Sequence, residues 1–275
     1  MIVSTGPAAG GIGFAVAQFA PVADRDANLA TIRRLVEVAV QRGARVVVLP
    51  EYSSSFADPL GPGTLAAGEP LDGAFVQGVG AIARELDVFV VAGMVEAIEG
   101  ERRVANTLVA VDPAGALVAH YRKLHLYDAF GQTESEWIAP GEIGVPETFA
   151  VGDLVVGLQT CYDLRFPEVT RWLVDAGADV VAAPAEWVRG PLKEAHWRTL
   201  VTARALENTI YLVAADQTPP IGVGNSMIVD PMGVEIATLG EAEDVAVAWL
   251  SRERIDAARA KNPALALRRF AIRPL

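Results

Sequence analysis

Short apolar runs rich in Val, Ile and Ala alternate along this chain with stretches whose apolar residues recur every three or four positions. The runs at 13–19, 45–50, 88–95, 107–111, 154–160, 179–183, 210–215, 226–229 and 245–250 are predicted strands. Several are continuously apolar, as expected of strands covered on both faces. Between 26 and 42, Leu29, Ile32, Val36, Ala39 and Val40 fall on one helical face, with an Asp available as a cap and Gly43 as a stop. Phe75, Val79, Ile82 and Leu86 share a face of a second helix. A third starts after Pro167, turns Val169, Trp172, Leu173 and Ala176 inward, and stops at Gly177. A fourth, from about 193 to 208, buries Trp197, Leu200, Val201 and Ala205.

The order β-α-β-α-β, then hairpins, then β-α-β-α-β predicts an α/β fold with helices covering sheet faces. Asp112-Pro113-Ala114-Gly115 and Asp230-Pro231-Met232-Gly233 each follow a strand and read as similar hairpin turns, an echo that suggests two related half-sheets. There is no short-period repeat and no low-complexity linker, so 1–275 reads as one domain with its core at about 13–250. The Pro/Gly-rich stretch 58–70 reads as a surface loop over a site. Residues 251–275 read as a helix and tail, either packed on a partner subunit or disordered.

Composition narrows the partners. Hydrophobic residues make up 52% and charged residues 21%, enough apolar material for a large core. The net charge of −11 and the absence of a basic stripe disfavour nucleic acid and anionic membrane. Residues 1–11 have neither the charged nor the apolar region of a signal peptide, and no apolar run reaches the length of a membrane span. A single cysteine fits a reducing compartment, with the cytoplasm expected.

That cysteine, Cys161, stands where an apolar run stops and Tyr162-Asp163-Leu164-Arg165-Phe166-Pro167 begins. By itself it reads most simply as a small buried hydrophobe, but a strand end facing a crevice is also how a nucleophile is presented. Glu51 ends the run Val46-Val47-Val48-Leu49-Pro50 and is either a solvated turn residue or a desolvated general base. Lys123 is either a strand-edge lysine or a fixed cation beside a developing oxyanion. The three histidines, His120, His125 and His196, are scattered, so metal-ligand spacing is absent and a Cys–His pair has little support. Gly10-Gly11-Ile12-Gly13 precedes a strand and is a poor match to a dinucleotide motif. Gln159 and Asp163 occupy the positions where a hydrolase elbow would need glycines.

Taken together, Leu49-Pro50-Glu51, Tyr121-Arg122-Lys123-Leu124-His125-Leu126 and Cys161-Tyr162-Asp163-Leu164-Arg165-Phe166-Pro167-Glu168 resemble the three signature segments of the nitrilase superfamily, the carbon–nitrogen hydrolases. Further similarity lies at Glu134-Ser135, Ala139-Pro140-Gly141, His196-Trp197, 203–208 and 225–233. The resemblance implies an α-β-β-α sandwich that dimerises into a four-layered core, with no metal or organic cofactor. It implies Cys161 as nucleophile, Glu51 as general base, Lys123 with the Tyr162 backbone N–H as oxyanion holder, and Glu134 as a support that orients Lys123. The segment after Cys161 resembles the amidase branch acting on small carboxylate-bearing amides, which includes omega-amidase and deaminated glutathione amidase. Segment 218–222 departs from the glycine-rich pattern of that branch. Trp187, at another strand end, is expected to line the substrate pocket together with Tyr52. Arg165 suits a substrate carboxylate, although a salt bridge anchoring the following helix is the favoured role.

Overall fold

The Val-rich runs pair into two mixed sheets. The strands are β1 (Ile12–Gln18), β2 (Val46–Val48), β3 (Phe89–Ala97), β4 (Val104–Val111), β5 (Leu117–Arg122), β6 (Ile138–Ala139), β7 (Thr148–Val151), β8 (Leu154–Leu158), β9 (Val180–Ala182), β10 (Tyr211–Ala214), β11 (Met227–Val229), β12 (Glu235–Thr238) and β13 (Asp244–Leu250). One sheet has the order β13-β1-β2-β3-β4-β5, with β6 beside β4; the other runs β12-β11-β10-β9-β8-β7. The computed structural model describes residues 10–274. Residues 1–9, most of the stretch read above as lacking signal-peptide features, and Leu275 lie outside the described residues.

The sheets share one plan. Three parallel strands, β1-β2-β3 or β8-β9-β10, are extended on one side by an antiparallel pair, β4-β5 or β11-β12, and flanked on the other by antiparallel β13 or β7. The two Asp-Pro-x-Gly turns join corresponding strands of this plan, β4 to β5 and β11 to β12.

Alternation of the strand side chains makes three apolar layers. Inward residues of one sheet, such as Phe14, Val48 and Leu108, meet Leu158, Val180 and Val213 of the other. On the outer face of the first sheet, Ala15, Val47 and Val90 pack against α1 (Arg25–Gln41) and α3 (Ala74–Leu86). On the outer face of the second, Val181 and Leu212 pack against α4 (Pro167–Asp175) and α5 (Lys193–Asn208). The result is an α-β-β-α sandwich. Each Val, Leu or Phe so buried stabilises by about 1.5–3 kcal/mol, which explains why the central strands tolerate so few polar residues.

Helix boundaries follow local chemistry. The Asp24 carboxylate accepts from the Asp26 and Ala27 N–H groups and caps α1. Pro167 sits in the first turn of α4, where its missing N–H costs nothing. Two short elements complete the set, α2 (Pro62–Ala66) within the predicted loop at 58–70 and α6 (Arg252–Lys261) after β13. Strands β5, β6, β7 and β12 were not among the predicted elements. β12 is largely exposed, β6 has two residues, β5 begins with exposed Leu117 and Val118, and β7 has four residues of which only Phe149 and Val151 are buried, so none shows the long apolar run that marks the buried strands. No helix among the described residues is long and apolar enough to cross a membrane.

Candidate active site

The segments that follow β2, β5, β8 and β9 converge on one cavity of about 370 Å³, lined among others by Glu51, Tyr52, Lys123, Glu134, Cys161 and Glu186. Glu51 reaches it because β3 comes very close to the turn after β2. The Gly93 N–H donates to the Pro50 carbonyl and its carbonyl accepts from the Ser54 N–H, both at 3.1 Å. A Cβ on Gly93 would stand 2.5 Å from the Tyr52 nitrogen and 2.7 Å from the Glu51 Cα, so only glycine permits the approach.

Lys123 leaves β5 with both backbone groups fixed. Its N–H donates to the Asn106 carbonyl and its carbonyl accepts from Gly141, each at 2.9 Å. The ammonium donates to Glu51 Oε1 (2.9 Å), Glu134 Oε2 (2.9 Å) and Glu134 Oε1 (3.1 Å). Glu134, carried on a short 3₁₀ turn, also accepts from the Tyr52 hydroxyl (2.8 Å), the Tyr127 N–H (2.6 Å) and the Asn106 amide (3.1 Å). Asn106 donates to Glu51 Oε1 as well, and Glu51 Oε2 accepts from the Glu186 N–H at 2.6 Å. Relative exposures of 1% for Glu51, 2% for Lys123 and 5% for Glu134 put this acid–lysine–acid cluster out of water, where each charge depends on the others.

Cys161 opens a 3₁₀ turn, Cys161–Arg165, with φ of 42°, a left-handed conformation that strains a residue carrying a side chain. Asp163 holds the turn closed. It accepts from the Tyr121 hydroxyl (2.7 Å), the Thr160 N–H (3.1 Å) and the His125 N–H (3.1 Å), and pairs with the His125 ring at 2.8 Å. The Cys161 N–H is occupied by the Pro184 carbonyl (3.0 Å), while its thiol donates to the Glu186 carbonyl (3.4 Å). Tyr162 is the second residue of the turn, where an N–H has no acceptor within the turn. None of the three histidines lines the main cavity; His125 is spent on Asp163 and stacks on Phe166, with ring centroids 3.7 Å apart.

The electrostatics divide the roles. Burial pushes the Glu51 carboxyl above its usual value against the pull of Lys123, and repulsion from Glu134 adds to the rise. Burial acts on Glu134 too, but the Lys123 ammonium and the hydrogen bonds from Lys123, Tyr127 and Asn106 outweigh it and hold that carboxyl low. Lys123 is desolvated, yet Glu134 and Glu51 keep its ammonium well above the usual lysine value. Burial, then the Glu51 carboxylate, push the Cys161 thiol up, so the resting sulfur is protonated. The cluster therefore offers a fixed cation, a firmly ionised acid, and a second acid suited to carrying a proton.

The residues expected to touch substrate are distributed differently. Tyr52 lines the cavity, but its hydroxyl is committed to Glu134. Trp187 is buried against Trp197, donates from Nε1 to the Lys193 carbonyl (2.9 Å), and edges a small hollow beside Cys161. Arg165 makes no salt bridge among the described residues, contrary to the favoured expectation. Its guanidinium instead lies 5.2 Å from the Trp187 ring centroid and 5.7 Å from that of Phe130 and meets His196 Nδ1 at 3.3 Å, so aromatic faces and a ring nitrogen take the place of the expected acid. Asp58, Pro59 and Leu60 of the 58–70 loop form part of the cavity wall. Sequence reasoning missed Asn106, Tyr127 and Glu186. Asn106-Thr107 within the otherwise apolar β4 is the one signal that pointed to a buried polar centre.

Similarity to known proteins agrees with this geometry. The carbon-nitrogen hydrolase family model matches residues 14–260. The chain is 38% identical over 259 residues to deaminated glutathione amidase of Escherichia coli O157:H7, covering 94% of this chain and 97% of that one. The NitFhit protein of C. elegans superposes with a TM-score of 0.85 at 29% identity, over 94% of this chain and 65% of that one. An amidase from Nesterenkonia sp. AN1, in a mutant form showing covalent addition of the acetamide moiety of fluoroacetamide at its active site cysteine, superposes with a TM-score of 0.80 at 26% identity, over 96% of this chain and 95% of that one. This chain belongs to the carbon–nitrogen hydrolase family and is an enzyme that hydrolyses C–N bonds.

Proposed function

We propose that the protein is an amidase that cleaves a small linear amide through a thioester on Cys161. The observation that carries this reading is the buried Glu51–Lys123–Glu134 cluster in the same cavity as the chain's single thiol. Glu51 takes the thiol proton as sulfur bonds to the amide carbon, since two adjacent buried anions would repel. The oxyanion is held by the Lys123 ammonium and the Tyr162 N–H. Glu51 passes the proton to the amide nitrogen, the C–N bond breaks and ammonia leaves. Water then loses a proton to Glu51 and bonds to the acyl carbon, the S–C bond breaks, and sulfur recovers the proton as the carboxylic acid departs. Glu134 acts through Lys123, holding its ammonium charged and in place.

The substrate is read as a small amide of the carboxylate-bearing kind, on the segment after Cys161 and on the similarity to a deaminated glutathione amidase. Tyr52, Trp187 and Arg165 border its site. The chain is read as one domain that works as a homodimer in the cytoplasm, with the two sandwiches forming four layers. Ammonia and carbon dioxide release, measured over small amides, carbamoyl compounds and nitriles, tests the assignment. Ammonia with a carboxylic acid, from amides alone, is the expected result. Carbon dioxide from carbamoyl compounds, or turnover confined to nitriles, overturns it.

A further inference from the structure

Helix α5 opens with a cation in a place that disfavours one. Lys193 is its first residue, at the end where the helix dipole is positive, and is only 6% exposed. Among the described residues it has no carboxylate partner; its ammonium donates to the Tyr127 hydroxyl at 2.9 Å. It stands within about 5 Å of three ring centroids, Tyr127 (4.9 Å), Phe130 (5.0 Å) and Trp187 (5.0 Å). Aromatic faces offset part of the cost of burying this charge without neutralising it. Arg165 leans on two of the same rings, meets only His196 Nδ1 (3.3 Å), and keeps a buried Nε with no acceptor. Two cations thus share one aromatic wall with no acid paired to either among the described residues.

Lys193 borders the nucleophile directly, while Arg165 reaches it only through the shared Trp187 ring. Lys193 lines a hollow with Tyr127, Cys161, Glu186 and Trp187, and Tyr127, Cys161 and Glu186 also line the main cavity. The hollow holds about 10 Å³, room for one water-sized group, hence for a single oxygen atom. Glu186 forms no ion pair with Lys193 among the described residues, and burial, then repulsion from Glu51, push its carboxyl well above the usual carboxylate value.

We propose that Lys193, backed by Arg165, is the charge-reading residue of the active site, taking one oxygen of a carboxylate carried on the acyl part of the amide. Lys193 is then a specificity residue that reads a carboxylate of the acyl part beside the nucleophile, separate from Lys123 at the scissile carbon. A fully ionised phosphate fits less well, since it would bring more negative charge toward Glu51 and Glu134 and needs more room than one oxygen. The inference rests on Cys161 being the residue acylated.

Alkylation of Cys161, the only thiol, reads the subsite without turnover. Iodoacetate carries a carboxylate where iodoacetamide carries a neutral amide of nearly the same shape. The iodoacetate-to-iodoacetamide rate ratio is expected to fall about tenfold in Lys193→Met. In Arg165→Met it is expected to fall about threefold, and this second variant tests the subsite if Lys193→Met does not fold. An unchanged ratio in the folded variants overturns the proposal. So does equal slowing with both reagents, which would make Lys193 a partner of the thiol. Ammonia release by the alkylated wild type would contradict the Cys161 reading itself, while the ratio would still judge Lys193.

Discussion

Replacing Glu134 with Gln isolates the residue that acts through Lys123. All the contacts made by Glu134 come from donors: Oε1 accepts from Tyr52, Asn106 and Lys123, and Oε2 from Lys123 and the Tyr127 N–H. A glutamine must turn its NH₂ toward one of these sets. At the Oε2 position it faces only donors. At the Oε1 position the Tyr52 hydroxyl can rotate to accept, and Asn106 can flip its unpartnered Oδ1 inward, but then Glu51 loses the Asn106 amide. Either way one buried donor loses its acceptor, at a cost of about 1–3 kcal/mol in stability. Losing an oxyanion donor outright lowers kcat by roughly 10²–10³, and Lys123 keeps its 2.9 Å contact to Glu51, so a loss of roughly 10² or less is expected. The pH profile moves as well. Turnover needs Glu51 ionised, so it fails as pH falls through the Glu51 value, which burial raises. The Glu134 charge contributes to that rise, so its removal carries the acidic limb of kcat/KM to lower pH. Ammonia release measured across pH, with thermal unfolding alongside, tests this. Wild-type kcat together with an unmoved acidic limb would refute the role given to Glu134.

Glu51→Gln removes the proton carrier while keeping the side chain's size, and ammonia release is expected to fall by roughly 10²–10⁴; near-wild-type rates would place the base elsewhere. Gly93→Ala drives a methyl to within 2.5 Å of the Tyr52 nitrogen, forcing β3 and the Glu51 turn apart, so a loss of about 1–3 kcal/mol in thermal unfolding and a fall in kcat are expected together. Unchanged activity in that variant would show that the close approach does not position Glu51.

The three strand-end residues were legible because each ends or follows a local pattern: the apolar runs before Glu51 and Cys161, and the hairpin before Lys123. Their convergence was not, because it depends on how strands far apart in sequence are ordered within the sheets. Asn106 illustrates the limit. The predicted strand began at 107, after the polar residue, whereas β4 begins at Val104 and carries Asn106 fully buried between two carboxylates. Propensity discounts such a residue; tertiary hydrogen bonding retains it. Arg165 shows the converse, since its position before a helix suggested an ion pair but gave no hint of the aromatic wall supplied by Phe130 and Trp187. In the sequence Lys193 marks only the start of a helix, because the rings that bury it come from other segments of the chain.

The thioester on Cys161 is tested most directly by intact-protein mass spectrometry of the wild type and Cys161→Ala during turnover of small amides, with ammonia followed in parallel. The mechanism predicts a transient acyl adduct and ammonia from the wild type, and neither from Cys161→Ala. Ammonia release by Cys161→Ala, or an adduct on any other residue, would contradict it.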